Sequence, residues 1–145
     1  MIYFGKLTPE YKEKNIKILT HFGKNHQYKK FLEEIKELFD EIKKLLNFIG
    51  YRKNLLNSTI LHEILCEYIL ETGNVLEKGF ISELADCQIL ADQLNESDFF
   101  IEFLSMSLKD VGLADVVLNS KRGSYHIKHS MEYKIDRTLE RYNIQ

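Results

Sequence analysis

The chain has 145 residues, of which 44% are apolar and 29% are charged. This length suits one domain, and the composition is that of a folded protein rather than of a disordered or membrane-spanning chain. Twenty basic residues against 22 acidic ones give a net charge of -2, which excludes an overall positive field that would attract nucleic acid. We therefore expect a single domain over residues 1–145 with no nucleic-acid partner.

Neither end of the sequence nor its interior carries a targeting or membrane signal. Residues 1–6 lack a long apolar run, and no segment approaches the ~18 consecutive apolar residues of a membrane helix. Cys66 and Cys87 lie within apolar helical patterns without metal-ligand spacing, so both are predicted to be reduced core residues. The expected location is the cytoplasm, with no membrane partner.

One proline and seven glycines in the whole chain favour long helices. A turn at Thr8-Pro9 predicts a first short helix over Tyr11–Leu19. Gln27–Ile49 is the clearest helix, and Gly50 is predicted to stop it. Its apolar residues recur at three- and four-residue steps: Phe31, Ile35, Leu38, Phe39, Ile42, Leu45, Leu46 and Ile49.

Two further helices follow in the middle of the chain. The second is predicted over Ser58–Thr72, closed by Gly73. The third begins at Val75 or Phe80 and ends at Leu94.

The C-terminal third predicts two more helices with a loop between them. Ser97 is expected to cap a helix that ends near Gly112. Asn119–Tyr125 reads as a loop because serine, lysine, arginine and glycine occur together. The last helix is predicted to turn four residues inward, namely Met131, Ile135, Leu139 and Tyr142. The fold class is therefore all-α, a bundle of four to six helices.

Three carboxylates share one edge of the Gln27–Ile49 helix. Successive residues turn by about 100°, so Glu34, Glu41 and Glu37 fall about 40°, 60° and 100° from Leu38 on the same side. Without a cation these acids would repel one another, at a cost of a few tenths of a kcal/mol per pair.

Two acids of the predicted helix that ends at Leu94 lie at the border of its apolar face. Glu83 lies within the arc of apolar residues and Asp86 follows on its polar edge. Burying an ionised carboxylate is costly unless it is paired or binds a metal. Two interpretations are open: convergence of Glu34, Glu37, Glu83 and Asp86 on a divalent cation such as Mg²⁺ or Mn²⁺, or solvated acids paired with Lys30, Lys44 and an arginine.

Three segments resemble the MazG-like all-α nucleotide pyrophosphohydrolases. They are residues 27–38 (QYKKFLEEIKEL), residues 83–94 (ELADCQILADQL) and residues 134–137 (KIDR) with Arg141. That family carries an ExxE and a following ExxD as metal ligands. The resemblance places ExxE at Glu34 and Glu37, and ExxD at Glu83 and Asp86.

The resemblance implies a function, a cofactor and an assembly. It implies Mg²⁺-dependent hydrolysis of a (deoxy)nucleoside triphosphate to the monophosphate and pyrophosphate, with dUTP-like, dCTP-like or house-cleaning substrates, and Mn²⁺ as a second candidate metal. It also implies a homodimer or homotetramer. Glu37 is the candidate catalytic base. The two motifs are further apart than the family usually has, so Tyr51–Gly79 looks like an insertion that is a lid, an oligomer contact or an extra bundle helix.

Four residues are candidates for substrate binding. Lys134 and Arg137 share a basic face of the last helix with Arg141, a pattern that suits phosphate but is also typical of a solvated surface. Gln27 and Lys30 lie near the start of the acidic helix, close to Phe22, and are candidates for shaping a nucleotide pocket; the alternative is that Gln27 is only an early helix residue.

Two other classes of protein compete with this interpretation. A di-iron carboxylate bundle needs ExxH pairs, and Glu34 and Glu83 have none. A non-catalytic helical interaction protein would keep the acids as surface charge only.

Overall fold

The computed structural model describes residues 6–52, 58–71, 76, 79–108 and 121–145. Within these ranges the chain is all-helical and contains no strand. The predicted all-α class is confirmed. The described residues form six helices, α1 (Pro9–Phe22), α2 (Lys24–Arg52), α3 (Ser58–Glu71), α4 (Gly79–Gln93), α5 (Ser97–Leu108) and α6 (Lys121–Arg141).

The first helix is longer than predicted because both of its ends are capped. The hydroxyl of Thr8 accepts a hydrogen bond from the backbone N–H of Tyr11 at 3.4 Å, and Pro9 occupies the first turn, where its missing N–H costs nothing. At the other end Gly23 has φ 87°, a conformation that favours glycine. Its N–H donates to the Leu19 carbonyl at 2.8 Å, and α2 begins at the next residue.

Asparagine ends α4 and α6 in the same way. Asn95 has φ 60° and Asn143 has φ 52°, in the left-handed region that asparagine tolerates better than most residues. After Asn95, the N–H of Glu96 donates back to the Ala91 carbonyl at 2.7 Å. This bond satisfies a carbonyl that the helix end leaves without a partner.

The α4 helix is the centre of the bundle. It contacts α1, α2, α3, α5 and α6, which explains why apolar residues occur all around it rather than on one stripe. Its fully buried positions include Leu84, Ala85, Cys87 and Ala91. Three polar residues of α4, Ser82, Gln88 and Gln93, are buried with them. Any acid on α4 therefore lies close to a core that offers little water.

A polar clamp joins α1 to α6. The Tyr11 hydroxyl donates to one carboxylate oxygen of Asp136 at 2.7 Å, and Lys14 Nζ donates to the other at 3.0 Å. The α1 helix also contacts α2 and α4. The clamp therefore ties α6 to a helix that already packs against α2 and α4, and residues of these helices form the site described below.

Three sequence expectations about helix ends and faces are wrong. Gly50 does not stop α2, which continues to Arg52, because Ile49 is buried in the core and helps to offset the low helix propensity of glycine. Residues 121–125 form the first turns of α6 rather than a loop, with Gly123 buried; residues 119–120 lie outside the described ranges. Tyr142 is exposed rather than inward, because α6 ends at Arg141.

The α3 helix packs onto the bundle. It contacts α4, buries Leu65 and Ile69, and stacks Tyr68 on Phe48 of α2 with 4.3 Å between ring centroids. Of the three roles expected for Tyr51–Gly79, the described part has that of a bundle helix. The expected boundaries at Thr72, Gly73, Val75 and Gly112 fall outside the described residues.

Neither cysteine forms a disulfide; Cys87 is buried and Cys66 is half-buried. Among the described helices, none is at once long enough and apolar enough to span a bilayer.

Candidate metal centre and adjoining cavity

Packing of α2 against α4 brings acids from the two motifs together. Glu34 comes from α2, whereas Glu83 and Asp86 lie one turn apart on α4. One carboxylate oxygen from each of these three residues lies within 4.8 Å of the others. The helical geometry that put Glu34 beside the α2 apolar stripe is therefore also what aims it at α4.

Two of these carboxylates have an oxygen with no compensating partner. Glu34 Oε2 and Glu83 Oε2 are buried and accept no hydrogen bond from the described residues. The side chain of Glu34 is only 14% exposed, and its nearest cation, Lys30 Nζ, stands 3.8 Å away. Buried polar atoms normally have partners, so two orphaned carboxylate oxygens at one point indicate a place suited to a cation.

The electrostatics of Glu34 reflect this crowding. Burial, followed by the charges of Asp86 and Glu37, raises the pKa of Glu34 to about 8. Glu37 is itself exposed, but it lies within hydrogen-bonding reach of Glu34. The structure thus sets the fourth predicted ligand at the solvent side of the other three.

Glu83 behaves in the same way. Burial is the largest cause, followed by the charge of Asp86 and a hydrogen bond with Glu37, and together they raise the pKa of Glu83 to about 7. Burial and the same acids also raise the pKa of the Cys87 thiol. Cys87 therefore stays a neutral thiol and leaves an oxygen-only ligand set, which suits a hard cation such as Mg²⁺ or Mn²⁺.

Lys134 is the cation that meets this cluster directly. Its Nζ lies 2.9 Å from Asp86 Oδ1, and its side chain is 6% exposed. The alternative of a solvated surface therefore does not hold for Lys134, which is buried beside Ile135. One ammonium does not balance the carboxylates around it, and the raised pKa values of Glu34 and Glu83 express the remaining repulsion.

A cavity of about 310 Å³ opens next to the acids. Its volume falls in the range of about 300–1,000 Å³ that is usual for small-molecule sites. Glu34 and Asp86 form one part of its wall. All four predicted substrate-binding residues line it as well: Gln27, Lys30, Lys134 and Arg137.

Cations and aromatic rings share the rest of the cavity wall. Arg137 is half-buried and stands over the Tyr133 ring at 5.5 Å, and Arg141 lies one turn further along α6. Phe22 stacks on His26 with 5.0 Å between centroids and 15° between planes. The Tyr142 ring meets Phe22 edge-on at 4.9 Å. The cavity therefore joins an acidic and basic region to an aromatic one.

Gln27 does not offer a free amide to the cavity. It is 3% exposed, its Nε2 donates to Gln93 Oε1 at 2.8 Å, and its Oε1 lies 2.8 Å from His26 Nδ1. Lys30, by contrast, has a half-exposed side chain. Of the two α2 residues, Lys30 is thus the one with a solvent-accessible polar group at the cavity.

Sequence reasoning missed Asn15, His26 and Gln93. Asn15 is 1% exposed, and its amide bonds to Gln93 at 2.7 Å. A signal was present, because Tyr11, Asn15 and Ile18 follow helical spacing and place a polar residue on an otherwise apolar stripe. His26 carries no such signal, since its role depends on the fold around it.

The alternative of solvated acids paired with lysines fits Glu41 and the exposed Glu37. It also agrees with the 3.8 Å separation of Lys30 Nζ from Glu34. Glu41 accepts a hydrogen bond from Lys44 at 3.1 Å, away from the cluster. Glu83 meets no arginine among the described ion pairs; the cation whose charge bears on it is Lys134. The surface-charge interpretation therefore accounts for Glu37 and Glu41. It leaves the buried oxygens of Glu34 and Glu83 unexplained.

Comparisons of the chain with family models, with curated proteins and with solved structures find no match. The site must therefore be interpreted from its own geometry.

The raised pKa values predict how stability depends on pH in metal-free protein. Between about pH 4.5 and pH 8 the folded state binds more protons than the unfolded state, because Glu34 and Glu83 keep protons that the unfolded chain releases. The free energy of unfolding should therefore fall as pH rises through this window. Urea unfolding in EDTA at several pH values measures it.

The Glu34→Gln, Glu83→Gln double variant is the control, because amides do not titrate there. Its slope against pH should be less negative than that of the unaltered protein. Equal slopes would show that these two carboxyls are not protonated in the folded state.

Proposed function

We propose that this protein is a metal-dependent hydrolase of (deoxy)nucleoside triphosphates that releases the monophosphate and pyrophosphate. The observation that carries the proposal is the meeting of three half-buried carboxylates, two with orphaned oxygens, at the wall of a cavity lined with cations. The resemblance of the ExxE and ExxD segments to MazG-like enzymes supports the same reaction.

Each end of the cavity suits one part of such a substrate. Glu34, Glu83 and Asp86 hold the divalent cation, with Glu37 beside them. Lys30, Arg137 and Arg141 supply cationic side chains for polyphosphate oxygens, for which arginine forks are well suited. The aromatic rings of Phe22, His26 and Tyr142 offer flat apolar surface to a base.

A divalent cation at this site would neutralise phosphate charge and acidify a bound water. In the hydrolysis, the water oxygen forms a bond to the α-phosphorus while the bond from that phosphorus to the bridging oxygen breaks, and pyrophosphate leaves with the electron pair. Glu37, the exposed acid of the cluster, accepts the proton from water. The inner acids are less accessible to solvent, which favours Glu37 for this step.

Lys134 has two partners in this proposal. Without a ligand, its ammonium pairs with Asp86 and lowers the repulsion within the cluster. With a ligand, the same ammonium is placed to meet a phosphate oxygen at the cavity wall. Lys134 and a metal therefore compete for Asp86. When the substrate binds, a phosphate oxygen replaces Asp86 as the partner of Lys134, and the competition ends.

An assembly of two or more copies is part of the proposal. Tyr28, Leu32, Phe39 and Leu46 are exposed on α2 and fall within about 20° of one direction around the helix axis. Phe103 of α5 adds an edge-to-face contact with Phe39 at 5.7 Å. A stripe of this length suits burial by another copy of the chain. Glu34 points about 140° away from it, so the stripe and the acids occupy different faces.

The Glu34→Gln variant tests the metal assignment. Mg²⁺-dependent pyrophosphate release should fall at least about 100-fold, because the substitution replaces a negatively charged metal ligand with a neutral amide. Stabilisation of the fold by Mg²⁺ should be lost as well. Adjacent Glu33→Gln is the matched control: Glu33 is exposed on α2 and outside the cluster. Equal turnover of the two variants would refute the assignment, and absence of both turnover and a Mg²⁺ effect in the unaltered protein would favour a helical interaction protein.

The Lys134→Met variant separates the two partners of this lysine. Removal of the competing ammonium should lower the Kd for Mg²⁺ measured calorimetrically without nucleotide, while kcat/KM for the nucleotide falls at least about tenfold because a phosphate contact is lost. Weaker Mg²⁺ binding would contradict the competition. Unchanged kcat/KM would contradict the phosphate contact.

The Phe39→Ser variant tests the assembly. We expect the molecular mass measured by sedimentation to fall towards that of one chain, because the centre of the exposed stripe becomes polar. Ile16→Ser on α1 is the control, since Ile16 is also apolar and exposed but lies outside the stripe. A monomeric unaltered protein would contradict the proposed assembly.

A further inference from the structure

A hydrogen-bonded set of buried amides begins at α1. The Asn15 Nδ2 group donates to the Ile89 carbonyl at 3.1 Å and to Asp92 Oδ2 at 3.2 Å. A backbone carbonyl can only accept. The NH₂ group of Asn15 must therefore face α4, and its oxygen, Oδ1, must face the other way.

That orientation fixes the next two amides in turn. Because Asn15 Oδ1 accepts, Gln93 must present Nε2 to it, at 2.7 Å. Gln93 is then left with Oε1, which accepts from Gln27 Nε2 at 2.8 Å. Gln27 is consequently left with Oε1 as its free end. We call Asn15, Gln93 and Gln27 the amide relay; all three side chains are buried.

The relay ends on the imidazole of His26. Gln27 Oε1 lies 2.8 Å from His26 Nδ1, and this oxygen can only accept. The proton of a neutral His26 must therefore reside on Nδ1. Its other ring nitrogen, Nε2, then carries a lone pair and accepts rather than donates.

His26 is an exposed residue at the cavity. It lines the cavity and stacks on Phe22. His26, Lys30 and Glu34 follow four-residue steps along α2, which puts His26 about 12 Å along the axis from the acids. A nucleotide with its phosphates near Glu34 and Lys30 extends its base towards this ring.

We infer that the amide relay sets His26 as the Nδ1–H tautomer, and that Nε2 selects a ligand whose ring carries an N–H donor. The inference deepens the proposed function and rests on it for the ligand, a nucleotide whose base presents an imino or amino N–H. His26 touches the base in this scheme, and Gln27, Gln93 and Asn15 are positioning residues that act through it. The direction of every hydrogen bond follows from one backbone carbonyl.

The tautomer is tested without any ligand. In alkaline buffer, ¹⁵N NMR of the unaltered protein should show the His26 proton on Nδ1. Gln27→Glu keeps an acceptor at this point and should keep that tautomer, whereas Gln27→Met removes the acceptor and should shift the proton towards Nε2. If the methionine variant does not fold, the unaltered protein and the glutamate variant still decide the result. A proton on Nε2 in the unaltered protein overturns the inference, whether or not the protein hydrolyses nucleotides.

The ligand preference is tested by binding, so that it does not depend on turnover. Calorimetry in Ca²⁺ buffer compares the affinities of two pairs of nucleotides. One pair is dUTP and dUTP methylated at N3, and the other is dCTP and dCTP dimethylated at the 4-amino group. For the pair whose unmodified member binds more tightly, methylation should weaken binding at least about tenfold. The His26→Phe variant keeps a ring for stacking and should lose the difference.

Equal binding of methylated and unmodified nucleotide by the unaltered protein overturns the ligand preference. A difference that survives in His26→Phe overturns the role of His26. Failure of the proposed hydrolysis is recognised separately, as absence of pyrophosphate with every nucleotide despite measurable binding.

Discussion

The constraint on which the site depends is the removal of like charges from water at the contact between α2 and α4. Glu34, Glu83 and Asp86 are held within 4.8 Å by two packed helices, so they cannot separate without moving the core. Burial and mutual repulsion both disfavour the charged forms, and the pKa values of Glu34 and Glu83 rise accordingly. Such a cluster is stable only when protons, Lys134 or another cation share it, and this is what makes it a candidate metal centre rather than ordinary surface charge.

The rest of the bundle holds this contact in place. The α4 helix touches all five other helices, so the positions of Glu83 and Asp86 are set by packing on every side. Tyr11 and Lys14 clamp α1 to Asp136 of α6, only two residues from Lys134. The same clamp that joins α1 to α6, two helices that line the cavity, therefore helps to position Lys134. A site on rigid helices keeps its geometry better than one on loops.

Helical periodicity predicted the fold class and the order of the helices, because buried stripes such as the one from Phe31 to Ile49 leave a pattern that is local in sequence. The same periodicity selected Glu34, Glu83 and Asp86 for their faces. It failed at Gly50 and at residues 121–125, where packing of Ile49 and Gly123 outweighs local propensity. It also left open whether Lys134 lies on a solvated surface, because a sequence does not record which neighbouring helix covers a given face.

The amide relay marks where sequence reasoning ends. Asn15 on an apolar stripe indicates a buried polar group, but the partner of that group depends on how α1, α2 and α4 pack. The direction of each hydrogen bond depends further on the Ile89 carbonyl, which every residue type possesses and no sequence pattern reveals. The acids of the cluster can be recognised from residue type and spacing. The tautomer of His26, in contrast, depends on a chain of hydrogen bonds that runs through three helices. Features of the site that depend on side-chain identity can therefore be predicted from this sequence, whereas those that depend on the direction of hydrogen bonds can be determined only from the folded structure.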